Sequence, residues 1–141
     1  MYETIKTVHC ILAYIALAVL ILASINAIYG VSSKKLFAAK DLRLSLFALI
    51  FCHIQLVIGF ILYFLSSVGF DAISQMSNGA IRLTAVEHPL INIIAIVLIT
   101  IGWSKHKKEE SNNGKFKKIA IFYTIGLVLI LSRIPWNSWL A

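Results

Sequence analysis

The sequence predicts an all-α integral membrane protein, a bundle of four transmembrane helices. Three observations carry this. Of the 141 residues, 60% are hydrophobic and only 13% are charged, against about 45–50% and about 25% in an average soluble domain. The mean hydropathy is +0.87. The apolar residues also lie in long uncharged runs, where a soluble domain of this size would alternate them with polar ones. The same excess excludes a disordered chain. Two cysteines are too few for a disulfide framework, and 7 glycines with 2 prolines exclude low-complexity or collagen-like architectures. One transmembrane domain covering residues 1–141 is expected.

A helix needs about 20 apolar residues to cross a hydrocarbon core of about 30 Å. Four stretches meet or approach this. Residues 7–29 form the first and contain no charge. The run exceeds the apolar core of a signal peptide and has no small-residue cleavage site, so it reads as a retained signal anchor. Residues 44–65 form the second, also uncharged. Residues 86–103 form the third, with Pro89 either in a first helical turn or kinking a longer helix. Residues 119–136 form the fourth. No face of these runs is polar enough for a surface helix, and no period-2 alternation suggests a barrel. The outside segment 66–86 carries a Ser77-Asn78-Gly79 turn and a short interfacial helix around residues 70–76 that caps the bundle.

The net charge is +7, and its placement gives topology. Ten of the 13 basic residues fall in two loops, residues 31–43 and 104–118. The rest are Lys6, Arg82 and Arg133. The positive-inside rule puts both basic loops in the cytoplasm and both termini outside, an up-down-up-down arrangement. Loops of this kind serve orientation and lipid headgroups, so nucleic acid is not an expected partner. His106, in the second basic loop, is expected to be solvated. Trp103 suits the inner aromatic belt, and Trp136 and Trp139 the outer one.

Ionisable groups at membrane depth are the candidates for function. At 1.5 Å per residue, His53 lies roughly 14 Å from the inner end of its span, His88 roughly 22 Å, Arg133 roughly 21 Å and His9 roughly 30 Å. Haem b in a helical bundle takes two neutral imidazoles from facing helices, one on each side of the iron. His53 with His88, or His9 with His88, would supply that pair. Arg133 or Arg82 would hold the propionates by bidentate pairing. Ala13, Ala16, Gly59, Ala95 and Gly126 would let helices approach or leave room beside a macrocycle. Other readings stay open. The histidines can serve as helix-to-helix hydrogen bonds, and Glu87 with Arg133 as a simple ion pair. His9, Glu87 and His88 can form a metal site. His53, Gln55 and Glu87 can form a proton relay or quinone site. Cys10 and Cys52 lie at heights too different for a disulfide and read as packing residues.

Three segments resemble a known family: the run from Phe51 through His53, Gln55 and Gly59 to Phe64, the run from Arg82 through Glu87 and His88 to Pro89, and the ending Ser132-Arg133-Ile134-Pro135-Trp136. They are similar to small four-span inner-membrane proteins of Bacteroidetes-type bacteria, often labelled cytochrome b-like, over nearly the whole chain. The resemblance implies a haem-binding, electron-transfer or redox-sensing protein of the bacterial inner membrane, with His53 and His88 on the iron and His9 as the alternate ligand. It implies an electron carrier or subunit in preference to an enzyme. The opposing class is a non-catalytic accessory or structural subunit of a larger membrane complex, partnered by other membrane subunits. A transporter or channel has little support in four short-looped spans.

Overall fold

The computed structural model describes residues 1–139, and these are helical almost throughout. The elements are α1 (Tyr2–Ser33), α2 (Ala39–Leu65), a 3-10 helix (Phe70–Gln75), α3 (Gly79–Arg82), a π-helical turn (Leu83–Glu87), α4 (His88–Lys108), α5 (Asn112–Ser132) and α6 (Trp136–Trp139). Three helical stretches are long and apolar enough to cross a membrane: Tyr2–Ser33, Ala39–Leu65 and the continuous Gly79–Lys108. The third therefore begins well before residue 86. Asn78 starts it, its side-chain oxygen accepting from the N–H groups of Ala80 and Ile81 at 3.0 and 3.2 Å. That is an N-cap, which satisfies donors a helix start leaves open.

The fourth expected span is shorter than residues 119–136. Helix α5 opens with Lys115, Lys117 and Lys118 and ends at Ser132, where Arg133 leaves helical geometry ahead of Pro135. Its lysine-free part spans about 21 Å. Lysine stems can lie along apolar surface while their charges reach the interface, which extends such a helix at its inner end.

Neighbouring helices run antiparallel, as their paired residues show. Asn26 on α1 meets Asp41 on α2, and Gln55 on α2 meets the backbone of His9. Gly102 and Ile99 on α4 face Phe122 and Gly126 on α5. Both basic loops lie at one end. The Phe37 N–H donates to Asn112 Oδ1 at 2.9 Å, and Asn113 Nδ2 donates to the Val31 carbonyl at 3.3 Å. Asp41 anchors this end. It is 1% exposed and accepts from Asn26, Lys35 and the Ala38 N–H at 2.9, 3.2 and 2.9 Å. One carboxylate thus caps α2, which has no capping side chain at Ala38, and ties it to α1.

Packing is tightest in this half. Leu20, Ala23 and Ala27 of α1 meet Ala48 and Cys52 of α2, with Ile99, Phe116, Ile119 and Tyr123 filling the centre. The Tyr123 hydroxyl, in the core, donates to the Ser45 carbonyl at 2.8 Å. Gly30, Gly102 and Gly126 have no room for a side chain. A Cβ there would stand 2.5 Å from Phe116, 2.5 Å from Phe122 and 2.7 Å from Ile99. Large apolar side chains such as Ile25, Phe47, Val97 and Val128 point outward from all four long helices, as lipid-facing positions require.

Gly126→Ala and Gly102→Ala should each force α4 and α5 apart and cost about 1–3 kcal/mol. Gly79→Ala, whose Cβ would meet nothing closer than 3.8 Å, should cost nothing. Thermal unfolding in one mild detergent checks the contrast, and equal midpoints for all three would refute the close-packing account.

Candidate functional site

The half of the bundle away from the basic loops opens into a cavity of about 440 Å³. Its walls come from the faces of α1, α2 and α4 and from the chain that follows α5. Ala13, Ala16 and Gly59, three of the small residues singled out in the sequence, line it. Ala95 and Gly126 do not, because they are used in the α4–α5 contact. Most of the lining surface is apolar, and polar side chains, among them Lys6, His9, Gln55, His88 and Asn92, join it. This is the usual composition of a small-molecule site.

His9 and His88 both line the cavity and face each other. Their ring centres are 6.4 Å apart, with the planes at 87°. The His88 Nδ1–H donates to the Arg133 carbonyl at 2.9 Å, and Asn92 Nδ2 donates to the His88 carbonyl at 2.6 Å. A carbonyl only accepts, so this bond requires the His88 proton on Nδ1 and leaves the Nε2 lone pair free. The Asn92 amide nitrogen, 3.2 Å from the same Nδ1, then does not donate to it. His9 is held through its backbone, whose carbonyl accepts from Gln55 Nε2 at 2.8 Å. Among the described residues five buried side-chain polar atoms lack a partner: Ser24 Oγ and Thr124 Oγ1, which do not line the cavity, and the three atoms His9 Nδ1, Gln55 Oε1 and Trp139 Nε1. The residues of these last three all line this one cavity. Buried polar groups are nearly always satisfied, so three together mark a place where a bound group would complete them.

Pro89 sets the height of His88. It sits inside the long helix, so its missing N–H frees a carbonyl about one turn earlier, and its ring crowds that carbonyl. The helix widens into the π turn Leu83–Glu87, with the His88 N–H reaching back to the Leu83 carbonyl. The Ala85 carbonyl then accepts from the Tyr63 hydroxyl at 2.8 Å, a bond from α2 that replaces the lost one. Such π turns inside helices recur at functional sites. Of the two alternatives for Pro89, the structure takes the longer helix.

The other expected site residues lie elsewhere. His53 is exposed, with its Nδ1–H donating to the Leu49 carbonyl at 2.8 Å and Thr100 Oγ1 at 3.4 Å from Nε2. It stands on the α2–α4 seam and does not meet His88. The reason is rotational: Cys52, Gln55 and Gly59 share the cavity face at i, i+3 and i+7, and His53 is turned about 100° from Cys52. Arg82 and Arg133 do not line the cavity. Both are held by Glu87, at 2.9 and 3.5 Å. Glu87 therefore faces the arginines and does not complete a metal site with the two histidines. Among the described residues no group of three or more His, Cys, Asp and Glu side chains could hold a metal ion. Cys10 and Cys52 are both free.

His106 corrects the expectation of a solvated loop histidine. It is 1% exposed, with its ring centre 4.6 Å from Trp103 and 5.5 Å from Phe37. Helix α4 runs on to Lys108, which carries His106 into the packed end. Sequence reasoning also missed Asn92, Lys6 and Trp139 at the cavity. The i+4 spacing from His88 was the available signal for Asn92.

Tyr63→Phe should leave the Ala85 carbonyl unpaired and cost about 1–2 kcal/mol in thermal or denaturant unfolding. Pro89→Ala restores an N–H able to reach that carbonyl, so the Tyr63→Phe loss should shrink in the double variant. Strict additivity would show that the two positions do not share the carbonyl. Comparison of the chain with models of protein families, with curated proteins and with solved structures finds no match.

Proposed function

We propose that this chain is a four-span protein of the bacterial inner membrane, with both termini outside, that holds one haem b between His9 and His88 for electron transfer or redox sensing. The observation that carries this is the facing histidine pair in one cavity. Two imidazoles bound to one metal from opposite sides each lie about 2.0–2.1 Å from it, which places ring centres about 6.3 Å apart. The 6.4 Å between the His9 and His88 ring centres agrees. His9 thus takes the place that the resemblance implied for His53. The basic loops, gathered at one end by the Phe37–Asn112 bond, support a single cytoplasmic face.

A haem there would supply one-electron chemistry, and the chain's residues supply its setting. The Arg133 carbonyl fixes the His88 tautomer and raises the basicity of Nε2. Gln55 holds the His9 backbone to α2. Leu17, Leu20 and Ile96 exclude water from the inner part of the cavity. Lys6 is the cation among the lining residues, and it takes the propionate role first expected of Arg82 and Arg133.

Reduced-minus-oxidised spectra of protein made with ample haem and purified in mild detergent test the proposal. A sharp α-band of the b type is expected. His9→Ala and His88→Ala should each abolish it, whereas His53→Ala and His106→Ala should retain it. No band in the parent protein would remove the haem reading and leave the accessory-subunit class.

A further inference from the structure

A second recess lies at the opposite end of the bundle, where the two basic loops meet. It measures about 400 Å³ and is lined by Phe37, Ala39, Leu42, His106, Lys107 and Lys115 among others. Two cations face one recess from different helices. The Lys115 ammonium donates once, to the His106 carbonyl at 3.2 Å, and keeps two further protons. Lys107 is exposed, with its ammonium 5.9 Å from the centre of the Trp103 ring. The first turn of α2 opens here with N–H groups that have no partner inside the helix. Of the carboxylates nearby in sequence, Glu110 makes no ion pair among the described residues and does not line the recess, and the other two are committed. Asp41 is engaged by Asn26, Lys35 and Ala38, and Glu109 by Lys118 at 3.8 Å.

The recess is not uniformly polar. Phe37 and Leu42 form an apolar wall, and Leu42 leads directly into the apolar run of α2. An occupant matching both halves carries a phosphate and an apolar tail. We propose that this recess binds the headgroup phosphate of an anionic phospholipid of the inner leaflet. Of the proposed function this uses only the orientation of the basic loops towards that leaflet, and it is independent of haem.

Native mass spectrometry of the purified protein tests it, with dioleoyl phosphatidylglycerol and dioleoyl phosphatidylcholine titrated in turn. The anionic lipid should be retained about thirtyfold more tightly, each lysine contributing roughly 1 kcal/mol. Lys107→Gln with Lys115→Gln should lower retention about thirtyfold. Lys108→Gln with Lys117→Gln removes the same charge outside the recess and should change it by less than about twofold. Ala39→Trp fills the recess without touching either lysine and should also lower retention, which keeps the test open if the double variant fails to fold. Equal retention of both lipids, or equal losses in both lysine pairs, would overturn the proposal. So would displacement of the lipid by millimolar inorganic phosphate, which would assign the recess to free phosphate.

Discussion

A backbone carbonyl with no partner costs a helix several kcal/mol among apolar surroundings, and the bond from Tyr63 to Ala85 removes the one that Pro89 creates. Much of the half away from the basic loops follows from it. The π turn lets the helix pass the proline ring. Continuity from Gly79 to Lys108 then sets the height of His88, and the bond itself pins α2 to the same turn. The other end obeys the same rule with different groups. Asp41 takes the Ala38 N–H, Ser111 takes the Gly114 N–H, and Ser45 and Thr100 return their hydroxyls to carbonyls four residues back. Once these needs are met, few buried polar atoms remain unmet among the described residues, and three of those five, on His9, Gln55 and Trp139, lie at one cavity.

The cavity follows from where the small residues fall. Gly30, Gly102 and Gly126 each face a bulky neighbour, so the helices close tightly upon them. Ala13, Ala16 and Gly59 face the space between α1, α2 and α4 instead. A Cβ added at Gly59 would meet Cε1 of His9 first, at 3.3 Å. The glycine there makes room for an imidazole, whereas Gly126 makes room for a helix. Small residues of one chain thus serve opposite ends, contact in one half and space in the other.

The helical class and the long apolar runs were legible because lipid demands length and apolar composition, and both are local properties of sequence. The 3-10 helix at Phe70–Gln75 falls where the short interfacial helix was expected. The start of the third long helix was not legible, because Asn78 reads equally as a turn residue and as a cap. The candidate set was half legible. His9 and His88 were recognisable as costly residues, but depth alone ranked His53 above His9. Depth ignores rotation about the helix axis, and rotation decides which side chain reaches the interior. Cys52, Gln55 and Gly59 carried that information, since their spacing marks the inward face and leaves His53 outside it. The burial of His106 depended on the length of α4 and on Phe37 folding over from another loop, which no local pattern encodes.

The two ends also differ in how they treat charge. At the basic end one buried carboxylate, Asp41, meets a single lysine at 3.2 Å and leaves the remaining cations to the surface. At the other end Glu87 is shared by Arg82 and Arg133, so the cluster beside His88 keeps one net positive charge. The side chains of Arg82 and Arg133 are 47% exposed and that of Glu87 33%, so solvent screens the field of that charge and confines it to the cluster's near neighbours. The arginines first expected to contact a bound cofactor stay outside the cavity, held by Glu87. Removing Glu87 would add to that field, and removing one arginine would cancel it. The pairing of one carboxylate with two guanidinium groups therefore sets the polarity of the site's surroundings without any of the three entering the cavity.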